Sequence, residues 1–234
     1  MKLAIVTPTY QRKDGKTPTY LNRAIDSLKK QTYKNFKFFL IGDKYEDDEE
    51  FNRFSESLTG IEHYLENLPI AKERDKYSID DRKLWVSGGV NAYNHGLQKA
   101  LDDGLDWICH LDHDDYWSEN HLSEIVNIIN TVSNVALVYT CAQYLKNQYI
   151  PGVKLDDKYE ERCPEPVNVA HSSVCINHKL LPLRYRDVFE ETGEVLEADI
   201  DMWRRISKAI KSSEYKSILV RKKTCYHTEE GVSK

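Results

Sequence analysis

Residues 110–117 read HLDHDDYW, three aspartates and two histidines set between an apolar run and two aromatic residues. Two of the carboxylates, Asp112 and Asp114, stand two positions apart. In strand geometry carried one step further, His110, Asp112 and Asp114 project to one face and Leu111 and His113 to the other. Oxygen donors so placed can reach a hard divalent cation, which keeps a few carboxylate ligands and completes its shell from water and phosphate. Without a cation, like charges this close repel, and one of them tends to hold its proton. The same residues also suit a solvated acidic turn ahead of a helix capped by Ser118. Spacing alone does not separate the two.

Other metal and nucleotide motifs are missing. No G-x-G-x-x-G follows a strand and no G-x-x-x-x-G-K-[ST] occurs, so a dinucleotide fold and a P-loop are without support. There is no H-E-x-x-H. Read as an EF-hand, the 112–123 stretch puts Trp117 where the loop needs glycine and Ser123 where it needs the bidentate glutamate. The five cysteines (Cys109, Cys141, Cys163, Cys175, Cys225) are odd in number and widely spaced, with no C-x-x-C pair. They read as reduced thiols rather than a disulfide framework or a zinc ribbon, with Cys109 and Cys141 as core residues.

The elements that must position the acidic cluster alternate along the chain. Lys2–Val6 is an apolar strand. Thr17 reads as an N-cap with Pro18 at the first helical position, and Leu21, Ala24, Ile25 and Leu28 form the stripe of an amphipathic helix. A strand over 36–43, a short acidic helix bearing Phe51, Phe54 and Leu58, and a third strand over Ile61–Leu65 come next. Residues 66–87 are highly charged and carry no clear period. A helix opens at SGGV (87–90) with Val90, Asn94, Leu97 and Leu101 on one stripe, and closes at Gly104.

DWICHLD (106–112) is a buried strand, Ser118 caps a helix bearing Leu122, Ile125, Val126 and Ile129, and 135–145 is another strand. A loop-rich 146–170, a strand at SSVCI, a helix near 200–210 and a strand at SILVRKK complete the chain. This alternation predicts an α/β fold, a mostly parallel sheet flanked by helices on both faces. Open sheets of this kind bind ligands at the carboxyl ends of their strands, where this chain carries TPTYQR, GDKYEDD and HDDYW.

The chain has 234 residues, 40% of them hydrophobic and 30% charged, with a net charge of −5. That is enough for one large core, and basic and acidic residues are interspersed, which argues against nucleic acid bound on a broad basic face. The apolar run in MKLAIVTPTY is too short for a signal-peptide core, and no stretch approaches the roughly 18–20 residues that span a bilayer. A soluble, cytoplasmic chain is expected, with peripheral membrane contact left open.

Taken in order, TPTYQR, YLNRAIDSLKKQTYKNFKFFLIGD, GGVNAYNHGL and ICHLDHDDYWSENHL resemble a family-2 glycosyltransferase of the GT-A fold. EADIDMWRRI is similar to that family's E-D-x-D-L-W-x-R segment, and CYHTEEGVSK resembles its closing R-x-H-x-x-S-x-S stretch. The resemblance implies a single GT-A domain over 1–234, with a nucleotide-sugar half over about 1–115 and a smaller, mixed acceptor and catalytic half over about 116–234. It implies inverting transfer from a nucleotide-diphosphate sugar, expected to be a UDP-sugar, to a hydroxyl of a glycan or other acceptor, with Mn2+ or Mg2+ on the diphosphate.

Carried over, Thr7, Pro8, Tyr10 and Arg12 would frame the nucleotide, Asp43 would bond the base, typically uracil, and Asp112 the ribose. Asn94 and His113 belong to the same donor set, His113 with Asp115 also shaping the turn. Asp114 would hold the metal, His227 would approach the metal or diphosphate, and Asp199 would be the general base, with Asp201 its neighbouring competitor. Three positions depart from the family pattern. The usual D-D-G-S with its second acid after strand two is here Gly42-Asp43-Lys44-Tyr45, Tyr93 stands where arginine is common, and the E-D pair reads Ala198-Asp199 with Glu197 displaced by one. Two alternatives stay open: a catalytically silent nucleotide- or sugar-binding module, and a sugar nucleotidyltransferase. The latter needs a Gly-rich basic loop after strand one, which TPTYQRKDG matches poorly. The acceptor itself has no chemical code in 146–170 or Trp203.

Overall fold

The structure is a computed structural model, and it describes residues 1–145, 148–166 and 168–227. In chain order it carries β1 (Leu3–Thr9), α1 (Thr17–Lys29), β2 (Phe36–Gly42), α2 (Asp48–Ser57), β3 (His63–Asn67), α3 (Lys72–Lys76), α4 (Asp81–Ser87) and α5 (Val90–Asp102). These are followed by β4 (Trp107–His110), β5 (Tyr116–Trp117), α6 (His121–Thr131), β6 (Val135–Leu145), β7 (Gln148–Ile150) and β8 (Tyr159–Glu161). A 3-10 turn at His171–Ser173 leads into β9 (Val174–Asn177), and α7 (Val188–Thr192), α8 (Ala198–Lys211) and β10 (Lys216–Tyr226) complete the order.

The strands form one sheet in the order β3-β2-β1-β4-β9-β6-β10-β5, with β7 added on β6 and β8 on β10. β3, β2, β1 and β4 run parallel, β9 runs against both β4 and β6, and β6 and β10 are again parallel to each other. This is a mixed α/β fold, a parallel half grading into a mixed second half. Period-2 alternation divides β1 between two cores. Leu3 and Ile5 pack with Leu21, Ile25 and Leu28 of α1, while Ala4 and Val6 pack with Val90, Tyr93 and Leu97 of α5. Gly96 is what lets α5 sit down on the sheet, because a Cβ there would lie 2.6 Å from Cγ1 of Val6 and 3.0 Å from Cγ1 of Ile41.

Several local expectations are corrected. Thr17 is the first residue of α1 and its hydroxyl does not cap the helix; it bonds the chain ahead, accepting from the Arg12 amide and donating to the Tyr10 carbonyl, both at 2.9 Å. Ser118 does not cap α6 either. Asn120 holds that position, and the Ser118 hydroxyl donates to its side chain at 2.7 Å. The buried face of α5 includes Tyr93, Gly96 and Ala100, leaving Asn94 at its edge. The unassigned 66–87 region holds α3 and α4, two helices too short to show a period. No helix among the described residues is long and apolar enough to cross a membrane.

Candidate active site

The carboxyl ends of β1, β2 and β4 lie side by side, since β1 pairs with both others. At the end of β1, Thr7 is fully buried and its Oγ1 has no hydrogen-bond partner, while Thr9 shares a 2.7 Å hydrogen bond with the hydroxyl of Tyr45. Pro8 is partly exposed, and Tyr10 is exposed with its ring edge-on to His113, 5.2 Å between centroids. Arg12 is gripped by Asp14 at 2.7 and 3.0 Å. That hydrogen bond holds the Asp14 carboxyl well below the usual carboxylate range.

Beyond β2, Asp43 is buried. Arg74 of α3 donates from Nε to its Oδ2 at 3.1 Å and also bonds the carbonyls of Asp43 and Lys44. Oδ1 of Asp43 is left without a partner. The neighbouring residue, Glu73, is 2% exposed; its Oε1 accepts the Asn91 amide at 3.1 Å and its Oε2 is unpartnered. Burial pushes Glu73 up to about 7, and burial likewise raises Asp43 against the pull of Arg74. Two buried carboxylates with open acceptor oxygens therefore stand by the β2 end. Such atoms are costly to leave unpaired, and a ligand with N–H or O–H donors would satisfy them.

The acidic segment is not an extension of β4. The strand stops at His110, and the chain turns, with the Asp115 amide bonding the Asp112 carbonyl at 3.1 Å. Asp112 and Asp114 are partly exposed, whereas His113 and Asp115 are buried. Nδ1 of His171 lies 2.9 Å from Oδ1 of Asp112. Burial would raise Asp112, but the charge and hydrogen bond of His171 outweigh it and hold this carboxyl below its ordinary range. The Ser172 hydroxyl accepts the Asp112 amide at 2.9 Å and donates to Oδ2 of Asp115 at 2.5 Å. On the other side of the turn, Arg23 donates to the Asp114 carbonyl at 2.7 Å.

His227 reaches this turn from the end of β10, but it meets Asp115, with Nδ1 2.9 Å from Oδ1. Burial opposes charge on the imidazole, yet Asp115 prevails and lifts it to about 9. In this arrangement the Asp115 contact favours the charged form of the His227 imidazole. The rest of the closing motif, residues 228–234, lies outside the described residues. Among the described residues no three His, Cys, Asp or Glu side chains converge as a metal cage. The two partly exposed carboxylates nevertheless fit an ion that takes one or two protein oxygens and draws the rest from water and diphosphate.

Asp199 stands in the first turn of α8 and accepts the Ile200 amide at 2.7 Å. Burial raises its carboxyl, with the charge of His171 pulling the other way and that of Asp112 adding to the rise. Asp199 and Asp112 are thus both electrostatic neighbours of His171. Asp201 is engaged differently, by Arg186 at 2.6 and 2.9 Å and by Arg205 at 2.7 Å. Asn94 has both ends of its amide on the backbone of Tyr185, accepting its N–H at 3.0 Å and donating to its carbonyl at 2.7 Å. Those are the contacts of a packing residue. Tyr93 is buried among His110, His171 and Tyr185, at ring separations of 4.9 to 5.0 Å.

The residues sequence reading missed are His171, Ser172, Tyr185, Glu73 and Arg74. Only the polar HSS run directly ahead of the apolar VCI carried a visible sign, because three polar residues entering a buried strand need partners.

Comparison with known proteins adds a second line. A family model described as Glycosyl transferase family 2 matches residues 70–178. An uncharacterised glycosyltransferase of Acanthamoeba polyphaga mimivirus is 34% identical over 238 residues, covering 99% of this chain and 95% of the relative. Among solved structures, S. aureus TarS in complex with UDP-GlcNAc superposes with a TM-score of 0.70 at 14% identity, over 98% of this chain and 59% of that one. The mannosyltransferase PcManGT from Pyrobaculum calidifontis, in complex with GDP-Man and Mn2+, gives 0.66 at 14% identity, over 98% and 58%. This chain therefore spans about three fifths of each solved relative.

Proposed function

This chain belongs to the family-2 glycosyltransferases, and from that premise we propose that it transfers a sugar, with inversion, from a nucleotide-diphosphate donor to a hydroxyl of a glycan or other acceptor. A UDP-sugar is the first donor to test. The observation that carries this reading is that His171 acts on both acids: its Nδ1 lies 2.9 Å from Oδ1 of Asp112, and its charge acts on Asp199 in the first turn of α8.

In this reading Thr7, Pro8, Tyr10 and Arg12 frame the nucleotide, and the open oxygen of Asp43 accepts an N–H of the base. Asp112 takes the ribose, with His113 backing the turn. Asp199 takes the acceptor's proton. A base must be ionised yet basic enough to pull, and burial moves Asp199 in the useful direction. The imidazolium of His227 adds positive charge where the leaving diphosphate gathers negative charge. Asp114 and its neighbours would hold Mn2+ or Mg2+, which supplies charge stabilisation to the leaving group without a proton.

The test is a panel of nucleotide sugars, including UDP- and GDP-linked ones, incubated with and without Mg2+ or Mn2+, with released nucleoside diphosphate as the readout. Metal-stimulated release from one donor, increased by a glycan acceptor, is the expected result. No release from any donor would sink the proposal.

A further inference from the structure

We propose that His171 and Ser172 are positioning residues of the donor site, a two-residue clamp that fixes the acidic turn and aims Asp112 at the nucleoside diphosphate. This rests on the donor-site reading of the preceding section. Both residues come from the 3-10 turn ahead of β9, about sixty positions along the chain from the turn they hold.

Ser172 ties three points of the segment after β4. Its hydroxyl accepts the Asp112 amide at 2.9 Å and donates to Oδ2 of Asp115 at 2.5 Å, and its carbonyl accepts from Nε1 of Trp117 at 2.7 Å. The start of the turn, its buried acid and the short strand that follows are thereby fixed to one residue. His171 acts on the carboxylate itself. Nδ1 lies 2.9 Å from Oδ1 of Asp112, and Nε2 lies 2.8 Å from the Tyr185 hydroxyl, which is 3.0 Å from Nδ1 of His110. The imidazole is bounded by Tyr93 at 5.0 Å, Tyr185 at 5.5 Å and Trp203 at 6.2 Å between ring centroids, so its plane has little freedom.

The exposures set the direction of the clamp. The Asp112 side chain is 35% exposed and that of His171 is 14% exposed, so the carboxylate reaches the cleft with the imidazole behind it. A group that only filled space here would have no need of a hydrogen bond to a partly solvated carboxylate. A carboxylate pinned through one oxygen presents the other in a fixed direction, which is what a preorganised contact to a ligand requires.

The experiment is a double-mutant cycle read by calorimetric binding of UDP and of GDP with magnesium present, alongside thermal melting. His171→Leu should weaken binding of whichever nucleotide the wild type takes by roughly 10- to 100-fold, the range for losing a hydrogen bond to a charged group. His171→Asn, whose amide N–H can take the place of Nδ1, should restore most of it. His171→Gln, whose amide extends toward the Tyr185 side, should not. In an Asp112→Ala background, which removes the oxygen that His171 bonds, His171→Leu should add little further loss.

Additive losses in that background overturn the clamp, as does equal weakening by His171→Asn and His171→Gln in step with melting temperature. If His171→Leu does not fold, the Asn and Gln pair decides alone. Wild-type protein that binds neither nucleotide removes the donor-site reading and the clamp with it, an outcome distinct from wild-type binding with an additive cycle.

Discussion

Arg186 grips the carboxylate of Asp201 through both oxygens, at 2.6 and 2.9 Å. Arg205 adds a third bond at 2.7 Å, and the Asp201 side chain is 6% exposed. Asp199, one half-turn earlier on α8, faces His171 and Asp112 electrostatically instead. Two aspartates that look alike in sequence are therefore held differently, Asp201 as a fastener and Asp199 without an arginine partner among the described residues, as the proposed base requires. Asp199→Asn should slow transfer by roughly 10²- to 10⁴-fold with little change in melting temperature. Asp201→Asn should instead cost about 2–4 kcal/mol of stability, less than for a fully buried pair because both arginines are partly exposed. Turnover and thermal melting of the two variants, measured side by side, check this; slowed turnover in Asp201→Asn alone would reverse the assignment.

A second division runs through the acidic turn. Asp115 is 1% exposed and bonded by Ser172 and His227, so Asp115→Asn removes the charge partner of the partly exposed His227 and should lower stability by about 1–3 kcal/mol. Asp114 is partly exposed. Asp114→Ala should fold normally yet lose the extra thermal stabilisation that a divalent cation gives in the presence of UDP. Melting curves with nucleotide, with and without metal, show both effects. Equal metal-dependent stabilisation of the wild type and Asp114→Ala would remove Asp114 from the metal site.

Glu73 makes the native state sensitive to rising pH. Its ordinary value is 4.5, and burial lifts it to about 7 in the folded chain. Between those values the folded state holds the proton and the unfolded state has released it, so stability falls as pH rises through that window and levels off above it. At about 1.4 kcal/mol per pH unit, the loss across this window is on the order of 3–4 kcal/mol. Glu73→Gln should escape it. Denaturant midpoints at pH 5 and pH 8 should show the variant gaining on the wild type as pH rises. A constant difference across that range would show that Glu73 titrates normally.

The sheet and most helices were legible because their signals are local. β6 could be bounded at 135–145 from its apolar run, and α1 from a stripe of period 3.6. The polar strand ends TPT, GD and HLD could be read as one edge of the sheet for the same reason. What stayed hidden depends on contacts made across the fold. Asp112 and His171 are 59 positions apart, and Asp43 and Arg74 are 31 apart. No spacing rule links them. Thr17 misled because a threonine before proline looks like a helix cap, whereas the loop carrying Tyr10 and Arg12 needed its hydroxyl more. His227 was found by its place in a closing motif, but its partner proved to be the buried Asp115.

Acid stability is set from the opposite side of the sheet's chemistry, by histidines buried in the neutral form. His178 is 1% exposed, and burial, helped by the charge of Arg184, drops it to about 3. His121, stacked on Trp117 at 4.2 Å and bonded to the Thr224 hydroxyl at 2.7 Å, falls to about 3 by burial alone. The ordinary value of each is 6.5, so as pH drops below it the unfolded chain takes up protons that the folded chain refuses. Stability is then lost with falling pH, from about 6.5 down to about 3, at about 1.4 kcal/mol per unit for each histidine. His178→Phe keeps a ring in place and removes one of these titrations. Urea midpoints between pH 7.5 and pH 5 should fall less steeply in this variant than in the wild type, with slope remaining from His121 and from His110, which burial also holds well below its ordinary value. Parallel profiles for the two proteins would mean that His178 accepts its proton inside the fold.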